Sequence, residues 1–114
     1  MAYSEYLAER IRNRLLSRGK LVEKRMMGAL IFMLNDKMCL GASIDKTTSS
    51  DRLMVRVGKK AYPFLVHVKG SKPMDFKGTK ALSGFLYVDP EGFDSEADLD
   101  FWVDRALEFN KDLI

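Results

Sequence analysis

Cys39 and His67 are the two side chains that could form a nucleophile and its base, because the 114-residue chain contains one cysteine and one histidine. Such a pair requires a thiolate within hydrogen-bonding reach of the imidazole. Both residues lie in apolar stretches, and a buried cysteine usually behaves as a small, unreactive hydrophobic group. The sequence therefore predicts no catalytic pair. The same two counts exclude a Cys/His zinc finger, which needs four ligands.

Carboxylates alternate in the last quarter of the chain in the manner of a calcium loop, at Asp94, Glu96, Asp98 and Asp100. Counted from Asp94, the sixth position is Leu99, where the loop needs glycine, and the twelfth is Arg105, where it needs glutamate. The sequence also contains neither G-x-G-x-x-G nor G-x-x-x-x-G-K-[ST], the two loops that cradle nucleotide phosphates. We therefore expect a non-enzymatic protein that uses no metal ion and no cofactor.

Basic side chains give the strongest remaining indication of a binding surface. Arg10, Arg14 and Arg18 recur every four residues and share one face of a predicted helix, and Lys24 extends the charge beyond it. This basic face could bind the phosphates of a nucleic acid, although it lacks the interleaved aromatic side chains on which bases stack. The alternative interpretation is an ordinary solvated helix face.

Charge is distributed unevenly along the chain, whose formal net charge is +3. Residues 89–114 contain nine acidic and two basic side chains, whereas residues 1–88 are basic on balance. A domain polarised in this way can attract an anionic partner or pair with a second copy. The alternative is that the acidic segment balances basic neighbours in the same domain.

Three helices and five strands are predicted from the hydrophobic spacing and the turn residues. The helices occupy residues 4–18, 59–68 and 95–113, and the strands occupy residues 25–34, 37–43, 53–57, 72–76 and 84–89. Tight turns make consecutive strands antiparallel. We therefore predict a single domain spanning residues 1–114 with an α+β fold, a two-layer sandwich of helices on an antiparallel sheet in the order α-βββ-α-ββ-α.

Residues 26–34 are apolar at both alternating sets of positions, which is typical of a strand that is covered on both faces. Three helices in a domain of this size can leave one face of the sheet bare. We therefore predict that the second sheet face, or the edge beside it, is buried in a homodimer or against a protein partner. The alternative is that loops and the middle helix fill this face.

Five short strings lie in a fixed order along the chain, and Trp102 follows them in the last helix. The strings are residues 23–28 (EKRMMG), 38–41 (MCLG), 53–58 (LMVRVG), 73–78 (PMDFKG) and 84–90 (GFLYVDP). Together they resemble the TfoX N-terminal domain family, the Sxy competence regulators, over nearly the whole chain. The resemblance implies an α+β domain with an antiparallel sheet. It also singles out Arg25, Arg56 and Asp75, either as a shared site for a partner or small anion or as an internal Arg–Asp bridge.

The resemblance also carries an expectation about function. Known members of the family help to switch on DNA-uptake genes in bacteria, together with the cyclic-AMP receptor protein, and they carry a second, C-terminal domain. The resemblance thus implies a stand-alone regulatory or protein-interaction domain linked to the transcriptional regulation of competence. The alternative is a nucleic-acid-binding accessory protein that uses the basic N-terminal helix. The single cysteine favours a reducing bacterial cytoplasm, and no apolar run is long enough to cross a membrane.

Overall fold

The structure is a computed structural model that describes residues 3–26, 28–74 and 83–113. In chain order its elements are α1 (Glu5–Leu15), β1 (Leu21–Met26), β2 (Ala29–Leu34), β3 (Lys37–Ile44), β4 (Asp51–Arg56), α2 (Tyr62–Leu65), β5 (Ser71–Pro73), β6 (Phe85–Val88), a 3-10 helix (Pro90–Gly92) and α3 (Glu96–Asp112). The predicted fold class and order of elements are confirmed. One further strand, β1, lies ahead of the first predicted hairpin.

β1 is separate from β2 because the chain turns at Gly28, where φ is 70°. Glycine adopts this conformation without the steric cost of a Cβ atom. The sequence pattern had joined the end of β1 to β2 as one strand. β1 is exposed from Val22 to Met26 and has charged residues at its centre, so neither a buried face nor β-forming residue types mark it in the sequence.

The six strands of the described chain form one antiparallel sheet in the order β1-β2-β3-β4-β6-β5. β2 and β3 are joined by Asn35 and Asp36, both with positive φ (52° and 67°), which is the backbone of a type I′ hairpin turn. β1 and β5 are the two edge strands. β5 contains Pro73, as expected for a residue that cannot donate to a central ladder.

α1 and α3 cover one face of the sheet and enclose the main core. Leu7, Ile11 and Leu15 recur at i, i+4 and i+8 on α1, and this apolar stripe is fully buried. On α3, Leu99 and Trp102 are buried in the same core. This arrangement confirms the layer of helices that the hydrophobic spacing predicted.

The opposite face of the sheet is also buried within the chain. Its cluster consists of Ala29, Ile31, Met54, Met74 and Tyr87. Ile31 of β2 has no exposed surface, so β2 is covered on both faces, as its composition predicted. Met74, just after β5, contributes to this cover, and Met33 of β2 is partly buried beside it. Burial of the sheet edge in a homodimer or against a protein partner stays a prediction.

α2 is a single turn with Pro63 in its first turn, which agrees with the predicted middle helix and with the geometry that proline tolerates. It is shorter than the predicted range of residues 59–68. Of the helices in the described ranges, none has the length and hydropathy needed to cross a membrane.

Candidate functional site

Arg10 lies on α1, and its side chain is buried against the segment that leads into α3. Its Nη2 donates to the carbonyl oxygens of Phe93 (3.3 Å) and Asp94 (3.1 Å) and to Oε1 of Glu96 (2.9 Å). Only 9% of the residue is exposed. A guanidinium in such a place needs acceptors for its donors, and here main-chain carbonyls supply two of them. Arg10 therefore ties α1 to the start of α3.

Arg14 continues the same contact one turn further along α1. Its Nε donates to Oδ1 of Asp100 (2.6 Å), its Nη2 donates to the carboxylate of Glu96, and its Nη1 donates to the Arg10 carbonyl (3.0 Å). The hydrogen bond from Arg14 holds the pKa of Glu96 below its usual value. The acidic start of α3 thus pairs with Arg10 and Arg14 of α1, as the alternative interpretation of the charge pattern predicted.

The predicted basic face needs correction, because its four members do not share one exposed surface. Arg10 is buried, and Arg14 is paired with two carboxylates. Arg18 is exposed beyond the end of α1. Lys24 is exposed on β1, where it lies opposite Ile31 and so projects on the face of the sheet away from the helices. Spacing along the sequence could not show this, since the acidic partners lie more than eighty residues away.

Arg25 and Arg56 are not brought together. Arg25 lies on β1, where its Nη2 donates to the Tyr3 hydroxyl (3.3 Å). Arg56 ends β4, its guanidinium carbon 5.3 Å from the ring centroids of both Phe85 and Phe109. β2 and β3 lie between β1 and β4 in the sheet. Three inter-strand spacings therefore place β1 and β4 about 14 Å apart.

Asp75, the third residue of the predicted site, lies outside the described residues. The predicted Arg–Asp bridge therefore stays a prediction. The separation of Arg25 from Arg56 does not favour one small anion in contact with both guanidinium groups, and a site for a partner protein that spans the two positions stays a prediction.

Cys39 and His67 also lie apart. Cys39 is buried in the main core, and its burial raises the pKa of the thiol to about 12. His67 is exposed in the segment after α2. A thiol that stays protonated at neutral pH is a poor nucleophile. Within the described ranges, no three His, Cys, Asp or Glu side chains are grouped closely enough to hold a metal ion.

A polar cluster at the β5 side of the sheet is absent from the sequence predictions. The guanidinium carbon of Arg52 lies 3.7 Å from the centroid of the Tyr87 ring. Nζ of Lys72 lies 3.7 Å from Oδ2 of Asp45 and 3.2 Å from Oδ1 of Asp89. The positive and negative charges of this cluster face one another. The cluster therefore connects the strand ends to the adjoining loop.

A groove opens beside the first two turns of α3, with a volume of about 320 Å³. We call it the α3 groove. Its apolar walls are formed by Val68, Phe101 and Trp102, and Lys69 and Asp98 place opposite charges beside them. Apolar walls with a few polar groups are typical of sites that bind a ligand or an anchoring side chain.

The walls of the α3 groove are held by specific contacts. Nε1 of Trp102 donates to the Gly92 carbonyl (3.0 Å). Phe101 packs edge-on against Trp102, with ring centroids 5.2 Å apart and an interplanar angle of 88°. The Arg105 guanidinium carbon lies 4.8 Å from the Phe101 ring centroid. The backbone of Lys69 lies close to Gly92. A Cβ atom on residue 92 would lie 2.5 Å from the Lys69 carbonyl oxygen.

Ser95 caps this end of α3, because its hydroxyl oxygen accepts a hydrogen bond from the Asp98 N–H (3.0 Å). The sequence patterns described above do not predict the α3 groove. The available signal was Phe101, an aromatic residue that falls outside the buried stripe of α3 and lies directly beside Trp102.

The fold defines an α+β domain with two helices on one face of a six-stranded antiparallel sheet. The sequence profile of the TfoX N-terminal domain family matches residues 13–110, and the chain belongs to that family. The resemblance seen in the five strings is thereby confirmed. A crystal structure of a protein from Pseudomonas syringae has a similar fold, with a TM-score of 0.62 and 11% sequence identity over 89% of this chain and 96% of that chain. No curated protein matches the sequence.

Proposed function

We propose that this protein is a non-catalytic regulatory domain that binds a partner protein through the α3 groove. The observation that carries the proposal is the pairing of apolar walls with one positive and one negative charge. Interfaces concentrate their binding energy in a few aromatic or aliphatic anchors that fill such pockets. The groove volume is at the lower end of the range for ligand sites, which suits one anchoring side chain and its neighbours.

Family membership supports a regulatory role, and the finer proposal is a part in the regulation of bacterial competence from a cytoplasmic location. Deletion of the coding sequence should then lower the frequency of natural transformation and the transcription of DNA-uptake genes. Unchanged values for both in the deletion strain would remove the competence role while leaving the binding function open.

The absence of catalysis is part of the proposal, and the position of Cys39 supports it. Its thiol is buried with a raised pKa, so it offers no thiolate at neutral pH. The polar groups around the α3 groove include no base that is held against a nucleophile, so its surface suits recognition rather than bond making.

The α3 groove can be blocked at Ala97, an exposed residue that lines it in the first turn of α3. Ala97→Glu would place a long charged side chain in the groove at a helix N-terminus, where a carboxylate is well tolerated. Asn13→Glu, on the exposed face of α1, adds the same group elsewhere and is the matched control.

Affinity capture from nuclease-treated native lysate compares the three proteins. We expect the same partner to be enriched by the wild type and by Asn13→Glu and to be lost with Ala97→Glu. Retention of that partner by Ala97→Glu, with an unchanged melting temperature, would rule out the groove as the binding site.

A further inference from the structure

β1 is an edge strand of six residues, and its side chains from Val22 to Met26 are exposed. In the described sheet it is paired on one side, with β2. Its length is about 20 Å at the usual rise of a strand. An exposed edge presents free N–H and C=O groups that can pair with a further strand.

The hydrogen-bonding direction of each residue in β1 follows from one contact at its start. The Asn35 N–H donates to the Lys20 carbonyl (2.8 Å), so Lys20 is directed towards β2. Direction alternates along an antiparallel ladder, and the β1–β2 register is uninterrupted. The backbone groups of Leu21, Glu23 and Arg25 therefore point outward, away from the sheet.

The side chains of β1 are divided between the two faces of the sheet. Glu23 and Arg25 lie opposite Phe32 and Leu30, on the face that carries the helices. On this face Arg12 binds the Glu23 carboxylate through Nε (2.6 Å) and Nη2 (2.8 Å). The hydrogen bond from Arg12 lowers the pKa of Glu23, so Glu23 is charged at neutral pH and held in place.

A two-fold axis perpendicular to the sheet would join two copies at this edge without exchanging the faces. Outward-pointing residues must then meet outward-pointing residues. Centring the axis on Glu23 or on Arg25 places two like charges opposite each other and creates no opposite-charge pair to offset them, whereas centring it on Lys24 opposes only Lys24 to its own copy. Centring it on Lys24 places Glu23 opposite Arg25 of the second copy, twice by symmetry, and aligns four backbone hydrogen bonds.

The same register pairs the exposed apolar residues on the other face. Val22 and Met26 are 37% and 38% exposed, and the axis at Lys24 sets each opposite the other in the second copy. Opposite charges and apolar pairs across strands both stabilise a sheet. Lys24 meets its own copy at the axis, where a long exposed side chain can extend into water.

We propose that β1 pairs with β1 of a second copy of this chain, antiparallel and centred on Lys24, to give a continuous twelve-stranded sheet. The charge complementarity of Glu23 and Arg25 selects this register and this occupant. The pairing uses a surface separate from the α3 groove, so the dimer and the proposed binding function can fail independently.

Sedimentation equilibrium from micromolar to submillimolar concentration tests the proposal. The wild type should dimerise, and Glu23→Arg and Arg25→Glu should each weaken dimerisation by at least about tenfold, since each creates two like-charged pairs. An equimolar mixture of the two variants should restore the dimer, because both cross-strand pairs are then of opposite charge. Glu91→Arg and Lys46→Glu, at exposed positions elsewhere, are matched controls that should dimerise as the wild type does.

Hydrogen exchange of the wild type keeps the test decisive even if a variant folds poorly. The amides of Glu23 and Arg25 should gain protection as concentration rises, whereas the amides of Lys46 and Glu91 should not. A protein that stays monomeric throughout, or a dimer whose outward amides exchange freely, overturns the proposal and leaves the edge to a different strand or to solvent. Ala97→Glu should dimerise normally, which separates this result from that of the groove experiment.

Discussion

Arg10 is set apart from the other arginines of α1 by burial and by its acceptors. Two of the three groups that it contacts are main-chain carbonyls, which cannot turn away to water if the guanidinium is removed. Loss of one partner from a buried, charged hydrogen-bond group costs more than the pairing itself contributes. Arg10 is therefore expected to be a determinant of stability rather than of binding.

Replacement of Arg10 by alanine should lower the free energy of unfolding by about 3 kcal/mol, because it leaves buried acceptors without donors. Urea denaturation followed by circular dichroism measures this change. Arg18→Ala, at an exposed position on the same row, is the control and should change stability by no more than about 0.5 kcal/mol. Equal effects at the two positions would contradict this role for Arg10.

The buried thiol of Cys39 gives a prediction about pH. The folded protein holds the pKa of Cys39 at about 12, whereas an unfolded cysteine titrates near 8.5. The unfolded state therefore loses its proton first, so this group stabilises the fold fully below about pH 8.5 and progressively less between there and about pH 12.

The free energy of unfolding of the wild type should accordingly fall between about pH 8 and about pH 10 by up to about 1.4 kcal/mol per pH unit more than that of Cys39→Ala. Urea unfolding of both proteins at the two pH values measures the difference, and subtraction removes the contributions of the lysines and tyrosines. Parallel pH dependence in the two proteins would show that the thiol ionises equally in both states.

At the scale of the elements, the β2–β3 turn shows how local chemistry fixes register. Asn35 and Asp36 both have positive φ, and the side chain of Asn35 also accepts a hydrogen bond from the Lys20 N–H (3.0 Å). The turn therefore links three consecutive features: the start of β1, the end of β2 and the start of β3. A two-residue turn of this type is most stable with glycine at its second position.

Asp36→Gly should raise the free energy of unfolding by about 0.5 kcal/mol, because glycine adopts the positive φ without strain and the exposed Lys20–Asp36 pair contributes little. Asn35→Ala should lower it by about 1–2 kcal/mol, since alanine disfavours this φ and removes an acceptor. Thermal unfolding of the two variants measures both signs. A loss of stability in Asp36→Gly would mean that the ion pair outweighs the backbone strain.

Elements with a buried face could be predicted from the sequence, and those without one could not. The helices predicted over residues 4–18 and 95–113 and the strands predicted over residues 37–43 and 53–57 all follow from local rules and are confirmed. β1 was partly missed, because an exposed strand with a charged centre lacks the alternation that marks a half-buried one. Its pairing depends on β2, which is itself identified by its apolar residues.

At the scale of the whole molecule, part of the positive charge of α1 is paired with carboxylates of α3 instead of being exposed to solvent alone. The row of arginines on α1 faces the acidic start of α3, so the polarity along the sequence is largely cancelled in space. The number of basic side chains, 19 Lys and Arg, therefore overstates the basic surface available to an anionic partner. The arginines can be identified from the sequence, but their partners cannot. The ion pairs join α1 to α3, which are far apart along the chain.

Binding to duplex DNA should consequently be weak. We expect no measurable binding at physiological salt, and at low salt a shallow dependence of affinity on salt concentration, because Arg10 and Arg14 of the predicted basic face already contact acceptors at the start of α3 and cannot neutralise phosphates. Fluorescence anisotropy with a labelled duplex measures this, with Arg18→Glu and Lys24→Glu as variants of the exposed cations. Tight binding with a steep salt slope that both variants abolish would restore nucleic acid as the partner.

The contact between Arg10 and the carbonyls of Phe93 and Asp94 has a consequence for synthesis on the ribosome. The first helix emerges early, yet the groups that complete it are made more than eighty residues later. During that interval Arg10 and Arg14 of the nascent chain lack the acceptors that the segment before α3 and α3 itself supply in the folded domain. Folding of this domain is therefore a late, post-emergence event, in which the last helix closes the structure that the first helix began.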